Sequence, residues 1–595
     1  MGGGEFLALK VRRLAKVAWS GLLAPARVGR FRRLGRASAM TQHKSGAALF
    51  ARVGSALRLS QPTAKQGTGA WLAAAAAVVA CLAASPAAAQ KHGGTLKVYI
   101  SANPSSMSIL EEVSFTTVMA AGPVFNGLLV FDPTKPVGGI DTVIPELAES
   151  WAWDESGTKL RLRLRQGVKW HDGKPFTAKD VQCTWHWLNG KTDDYFRKNP
   201  RRVWWSNLKE VTVDGDHEAT FHFARPQPSV IALLGSGFGA VYPCHVSAKD
   251  QRTNPIGTGP FKFVEFKSNE KVRLVRNPDY WKAGLPYLDG IDYTIVGNRS
   301  TRVLGLIARA FDLTTTGDIT VPILNDIAAQ APEIVCTLGP TNVSTNVLVN
   351  DKRAPFDNLK LRQAMALALD RQAFITILSQ GASSVSGNMM PLPEGLWGMP
   401  KEKLEALTGY TGTVDERRAK ARKIMEELGY GPQKKIPVKV STRDLASYKD
   451  AAVIFVDQLN QLHFAAELEI IESSVWFGRA ARQDYAVALN LTGSSVDDPD
   501  ATLVESYACD SEYNFTRYCN PEVTRLLELQ SAERDVAKRR ELVWEIERIL
   551  NEDVARPIIS HGRSAQCRQP HVKGHARAAN SIYSNWRHEQ VWLDK

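Results

Sequence analysis

The chain has 595 residues, 44% of them apolar and 23% charged, with a mean hydropathy of −0.22. Those proportions exclude a polytopic membrane protein and a disordered chain, and the length allows about three to five domains or one large two-lobed body with nested subdomains. The net charge of +13 is local: residues 1–89 hold thirteen Lys and Arg against one acid, Glu5, which leaves the other 506 residues near +1. A near-neutral body has no electrostatic pull toward polyanions, so nucleic acid is not an expected partner.

An apolar stretch of 14 residues, 71–84, follows Lys65 and precedes Ser85-Pro86-Ala87-Ala88-Ala89. A basic lead, an apolar middle and small residues in an A-x-A spacing make a secretory signal, so cleavage is expected after Ala89 and the mature chain should begin at Gln90 in the periplasm. Val79-Ala80-Cys81 also resembles a lipoprotein box, which leaves acylation of Cys81 open; Ser85 and Pro86 disfavour an uncleaved anchor over 70–89. Met40 is an alternative start, and Arg12-Arg13-Leu14 faintly resembles a twin-arginine signal. Export into an oxidising compartment predicts a bridge between Cys509 and Cys519, worth roughly 2–3 kcal/mol through the small loop it closes. Cys183, Cys244, Cys336 and Cys567 are too scattered to pair from sequence, and no doubled C-x-x-C spacing marks a zinc site.

In the mature chain the first strand is expected at 93–100. A clearer one spans 159–165, where Leu160, Leu162 and Leu164 alternate with Lys159, Arg161, Arg163 and Arg165 between two glycine turns, as in an antiparallel meander. Phe221-His222-Phe223 and Val272-Arg273-Leu274-Val275 repeat that habit. Helices become prominent after residue 350. Residues 357–371 put Leu361, Met365 and Ala368 on one stripe, and Thr413-Val414-Asp415-Glu416 is a capping box opening a helix that ends at Leu428-Gly429. A third helix at 535–550 should stack Val536, Leu542, Val543, Ile546 and Ile549 on one face. Mixed strands first, then helices and strands, with no fixed repeat, predict an α+β architecture in large lobes.

The sequence comes near several reactive motifs and completes none of them. The stretch from Gly167 to Gly173-Lys174 has five intervening residues where a phosphate loop needs four, and Pro175 stands where Ser or Thr would hold magnesium. Gly235-Ser236-Gly237-Phe238-Gly239 has no serine at its centre, and His588-Glu589 lacks a second histidine four residues after the first. Cys183 and His186 share a helical face beside Trp185 and Trp187, which reads as core packing. No cofactor or metal is expected. An exported hydrolase with a triad assembled from distant residues stays open as an alternative.

Pro145-Glu146-Leu147-Ala148-Glu149-Ser150-Trp151, the alternating strand, and Gly167-Val168-Lys169-Trp170-His171-Asp172-Gly173-Lys174-Pro175-Phe176 together resemble one family. The resemblance continues through Gly257-Thr258-Gly259-Pro260-Phe261, Arg276-Asn277-Pro278-Asp279-Tyr280-Trp281, Pro355-Phe356-Asp357 and Asn520-Pro521-Glu522. It is to the extracytoplasmic solute-binding proteins of peptide-type ABC transporters, the dipeptide- and oligopeptide-binding family 5, and covers about residues 93–560. It implies a two-lobed periplasmic binding protein with a hinge, α+β or α/β in class, whose first lobe is divided into two subdomains. Subdomain I would be 90–130 with 255–345 and 560–595, subdomain II 131–254, and the second lobe 346–559, with crossings near 341–350 and 557–563 as the hinge. The implied function is capture of a peptide or peptide-like solute and delivery to an inner-membrane ABC permease, without chemistry and as a monomer. A sensory receptor built on the same fold is a further alternative.

Most of these signatures read as structural: Asp172-Gly173 as a turn, Thr177 to Asp180 as a helix cap, and Gly257 and Gly259 as points of backbone freedom between subdomains. In peptide-binding members of the family an acid three positions after a Trp, just before an Asp-Pro pair, holds the peptide's amine. In Leu491-Thr492-Gly493-Ser494-Ser495-Val496-Asp497-Asp498-Pro499-Asp500, Leu491 replaces that Trp and Ser494 replaces that acid. A neutral hydroxyl is a poor partner for a desolvated ammonium, so solutes other than simple peptides, such as an opine, a sugar or an amine, stay open unless Asp497 or Asp498 substitutes. The other expected ligand residues are Trp476, Trp397, Ser114, Phe115 and Asn126, since aromatic walls offer contact at little entropic cost.

Overall fold

The computed structural model describes residues 90–595, apart from 136–137, 193, 195 and 578–580. The signal segment, Cys81 and the cleavage after Ala89 lie outside the described residues. The meander is present as an antiparallel sheet in the order Ala148–Trp153, Lys159–Leu164, Glu218–Phe223, Leu208–Gly215. Along Lys159–Leu164 the leucines are buried and the cations exposed, so the period-2 pattern places about 1.5–3 kcal/mol of apolar burial per leucine on one face. The helix Ala178–Leu188 covers that face, with Trp185 edge-on to Phe221 at 4.8 Å. Its start is the expected box: Thr177 donates its amide to Asp180 Oδ2 at 2.9 Å.

A second sheet pairs Thr95–Ile100 parallel to Gly290–Ile295, followed by Lys271–Arg276 and Phe261–Lys267 in antiparallel array. The Asp172-Gly173 turn is fastened to this part of the chain by His171. Its amide donates to the Gly257 carbonyl at 3.0 Å, Nε2 meets the Gly259 carbonyl at 3.0 Å, and burial drops the imidazole pKa to about 4. Gly257 and Gly259 serve close approach rather than the backbone freedom expected of them, because a Cβ on either would run into the backbone of Val124.

The third sheet has five strands in the order Phe464–Ile471, Ile436–Arg443, Val487–Gly493, Val335–Val349, Ile558–Arg568. The first three run parallel and the last two antiparallel. The helix Ala446–Asn460 makes the crossover between the first two, so residues at the C-terminal end of Ile436–Arg443 and the start of that helix share one edge of the sheet, where ligands of parallel α/β units bind. Residue Leu313 bridges both Val98 and Arg568, joining the second sheet to the third.

The helical expectations are met with two changes. Residues 357–371 hold not one helix but the end of one and the start of the next, Leu359–Ala368 and Arg371–Ser379, because Asp370 caps the second by accepting from the Ala373 amide at 3.0 Å. The helix Val536–Glu552 buries Val543, Ile546 and Leu550 but also Arg539 and Glu547, while Val536 is 46% exposed. Its inward stripe therefore carries two ionisable groups where the hydrophobic spacing predicted only apolar ones. The Thr413 box is as expected, with Glu416 Oε2 accepting from the Thr413 amide at 2.8 Å, and Gly429 takes the left-handed conformation after Val414–Glu427. Among the described residues three disulfides are present: Cys509–Cys519, and two pairings that sequence left undecided, Cys183–Cys244 and Cys336–Cys567. Cys183 is thus bridged, not merely packed beside its tryptophans.

Candidate functional site

A cavity of about 690 Å³ opens beside the five-stranded sheet, with Ser101 at the end of Thr95–Ile100 on its rim, within the range that holds a small organic ligand. One wall is Val113, Phe115, Thr116, the 315–318 segment, Ile582 and Tyr583; the facing wall is Arg443, Tyr448, Phe477, Leu491, Gly493 and Tyr513. The floor comes from the paired strands, through Thr341, Val343, Thr345, Ser560, Gly562 and Ser564. A second void beside Asn126 and Trp586, of about 70 Å³, has room only for waters.

Of the ligand residues expected from sequence, Phe115 and Leu491 line the cavity. Ser114 is buried, its Oγ 2.7 Å from Thr116 Oγ1 at the head of the helix Phe115–Ala121. Trp476 is one layer behind the wall, edge-on to Tyr448 at 6.4 Å. Asn126 is the hub of a buried polar cluster: Nδ2 donates to Glu146 at 3.0 Å and to the Tyr280 hydroxyl at 3.3 Å, and Oδ1 accepts from Thr258 and Trp281. Trp397 donates to the Asp497 carbonyl at 2.9 Å and lies under the Arg539 guanidinium at 4.6 Å. Ser494 donates to the Val496 carbonyl at 2.6 Å and accepts from Thr502 at 2.9 Å. Asp498 is gripped by both Nη atoms of Arg539, at 2.8 and 2.9 Å. Asp497, the other candidate acid, accepts from the Leu396 amide at 2.6 Å, and burial raises its pKa to about 7. Ser494 and Asp498 are therefore buried and bonded to other protein groups and do not line the cavity, while Ser495 Oγ and the second Asp497 oxygen are buried without a partner.

The residue that sequence reasoning missed is Arg443. It lines the cavity yet is only 6% exposed, its Nε has no hydrogen-bond partner, and among the described residues no carboxylate lies within ion-pair distance. Its guanidinium lies over the rings of Phe477 at 5.2 Å and Tyr448 at 5.8 Å, which offers partial compensation. Tyr448 in turn donates to the Leu491 carbonyl at 3.2 Å, tying this wall together. Sequence carries no mark of it: apolar and polar residues alternate through Ser441 although the burial pattern breaks there, and only the sheet order shows that the strand ends on a charge before a crossover helix, at the end where parallel α/β units bind ligands. The other cavity cations are engaged. Arg302 forks onto Asp318, Arg299 reaches Asp450 at 2.9 Å, and Arg563 pairs with Glu394.

Sheet-and-helix bodies joined by paired strands around such a cavity define a two-lobed solute-binding protein of the periplasmic type. The chain belongs to the bacterial extracellular solute-binding proteins, family 5, whose middle-region model matches residues 142–514. It is 24% identical over 527 residues to di/tripeptide-binding protein 2 of Pseudomonas aeruginosa, covering 83% of this chain and 94% of that one. Its fold superposes with a TM-score of 0.74, at 21% identity, on the periplasmic binding protein DppA from Helicobacter pylori in complex with the peptide STSA, over 85% of this chain and 99% of that one. At 0.73 and 21% identity it matches AgaA from A. tumefaciens R10 in complex with agropinic acid, over 84% and 99%.

Proposed function

We propose that this protein is the receptor of an ABC importer, which captures a peptide or peptide-like solute in the cavity and delivers it intact to an inner-membrane permease. The observation that carries the reading is the cavity itself, lined from several elements far apart in sequence and holding a buried arginine with no carboxylate within ion-pair distance among the described residues. Family membership and similarity along nearly the whole of the mature chain support it. In this reading Phe115, Leu491 and Arg443 touch the solute, and no bond of the solute is broken. The lobes are 90–130 with 255–345 and 560–595, then 131–254, against 346–559. They rock about the paired strands near 341–350 and 557–563, so that solute shifts an open–closed equilibrium read by the permease. The protein is exported, cut after Ala89, and acts as a monomer.

The test is to express the full-length chain, recover it from the periplasm, sequence its N-terminus, and measure melting with peptides, opines, sugars and small amines. A mature start at Gln90 and a solute-dependent rise in Tm are expected, because a ligand that binds only the folded state raises its stability. Turnover of generic ester or peptide substrates instead would transfer the protein to the hydrolases.

A further inference from the structure

We infer that the solute is an amphiphile, with a polar head inside the cavity and a hydrocarbon tail that leaves through a mouth bordered by Ile377 and Val453. This deepens the receptor reading and rests on it. Two helices turn stripes of i, i+3, i+4 spacing to the same void: Phe374, Ile377 and Leu378 on Arg371–Ser379, and Asp450, Val453 and Ile454 on Ala446–Asn460. The inner members are anchored, since Phe374 is part of the core and Leu378 and Ile454 pack against it. Ile377 and Val453 are not: they are 60% and 57% exposed. Pro322 and Ile323, from the first turn of Val321–Gln330, join the same lining.

An isolated exposed apolar side chain is ordinary on a protein surface, but apolar side chains of three helices bordering one void are a binding feature. Of the residues that line the cavity, the exposed ones are Gly317, Ile377, Asp450 and Val453, and Asp450 is taken by Arg299 at 2.9 Å. The mouth is therefore apolar in what it can offer. Thr341, Arg443, Ser560 and Ser564, by contrast, are buried, so these polar groups of the lining await a head deeper in. Approach of the neighbouring helices is not what covers the mouth. Arg299 already joins Arg299–Ile307 to Ala446–Asn460, and Asn325 donates to Gln380 at 3.1 Å, yet Ile377 and Val453 stay uncovered. A docked protein would lie on the outer surface, whereas these side chains continue the surface of Phe115, Leu491 and Tyr513 within one cavity. Continuity therefore assigns them to the guest.

The deciding experiment takes the mature protein, stripped of bound solute by unfolding and refolding, into calorimetric and melting titrations with homologous series. Each series keeps one head and lengthens a straight chain: acetyl- to decanoyl-alanine, methylamine to decylamine, methyl to decyl glucoside, and Ala-Ala through Ala-norleucine to Ala-aminodecanoate. All are kept below the concentration at which they form micelles. In the series whose head fits, affinity should rise about two- to fourfold per added methylene, the gain expected from burying that group. Ile377→Gln with Val453→Gln should cost the longest member roughly tenfold in affinity. The shortest member that binds, and the Tm without solute, should be unchanged in that double variant because both positions are exposed, which separates a lost tail contact from lost folding. Affinity that stays flat or falls with chain length in every series that binds, or long members held as tightly by the double variant as by wild type, would overturn the inference and leave the receptor reading standing. If no member of any series binds, both fall.

Discussion

Two arginines of this protein are buried to almost the same degree, and they do opposite jobs. Arg539, 4% exposed, places both Nη atoms on Asp498, its Nε on Gln530, and its face on Trp397. Arg443, 6% exposed, has aromatic rings beside it and a cavity in front. Burial alone therefore says nothing about function. What separates the two is whether a carboxylate sits within ion-pair distance: where it does, the pair is part of the joint between elements, and where it does not, the guanidinium borders the cavity with aromatic rings as partial compensation.

The sharpest way to break the contrast is Asp498→Asn. Leaving Arg539 without its forked partner should cost about 3–5 kcal/mol in urea unfolding. A loss below 1 kcal/mol would mean that Asp500, 3.8 Å away, already does the same work.

Glu547 supplies the mirror image: a buried carboxylate with no cation within ion-pair distance among the described residues, one oxygen accepting from the Met389 amide and the other unpartnered. Unlike an arginine it can surrender its charge, and burial lifts its pKa to about 7 from 4.5. The unfolded chain releases this proton near pH 4.5 and the folded chain holds it to about pH 7. Its contribution to stability is thus complete below pH 4.5 and is lost as pH rises through 7, by about 3 kcal/mol. Asp497 and Glu505, also raised to about 7 by burial, act in the same window and the same direction. Glu547→Gln, which keeps the bond from Met389, should flatten its share of the decline when unfolding is followed from pH 4 to pH 8.

Replacing both members of the structural pair, Arg539→Met with Asp498→Leu, should return stability to within about 2 kcal/mol of wild type, since a buried ion pair and apolar side chains of similar volume are near-equivalent in energy. The smallest effect is expected at Arg443. Without solute, Arg443→Met should move unfolding by less than about 1 kcal/mol, because no protein partner is left stranded. A loss of several kcal/mol would put Arg443 beside Arg539 as a structural residue.

The same distinction explains what could be read from the residues alone. Periodicity and capping chemistry gave the strand Lys159–Leu164 and the helices opened by Thr177 and Thr413 because those signals are local. Asp370 ended one helix and began another through a side chain that a hydrophobic stripe does not register. At the site, the motif-borne residues Asp498, Trp397 and Asn126 have polar partners 41, 100 and 132 positions away, so sequence could flag them as special without saying whether they face a ligand or each other. Phe115 and Leu491 reach the cavity through backbone position. Arg443 was invisible for the converse reason: its distinguishing property is the lack of a partner in three dimensions, and no spacing encodes a lack.

The disulfide Cys336–Cys567 lies near the outer end of the ladder formed by Val335–Val349 and Ile558–Arg568, whose regular pairing breaks between Pro340 and Ser344. With one end covalently fixed, neither strand can slip by a residue and turn its side chains to the wrong face. Bending is then channelled into the irregular stretch, where proline offers no amide to the ladder. If the lobes close over successive guests as proposed, the molecule is in this way denied the freedom to reassemble out of step, and each closure would rebuild the same floor of threonines and serines beneath the guest.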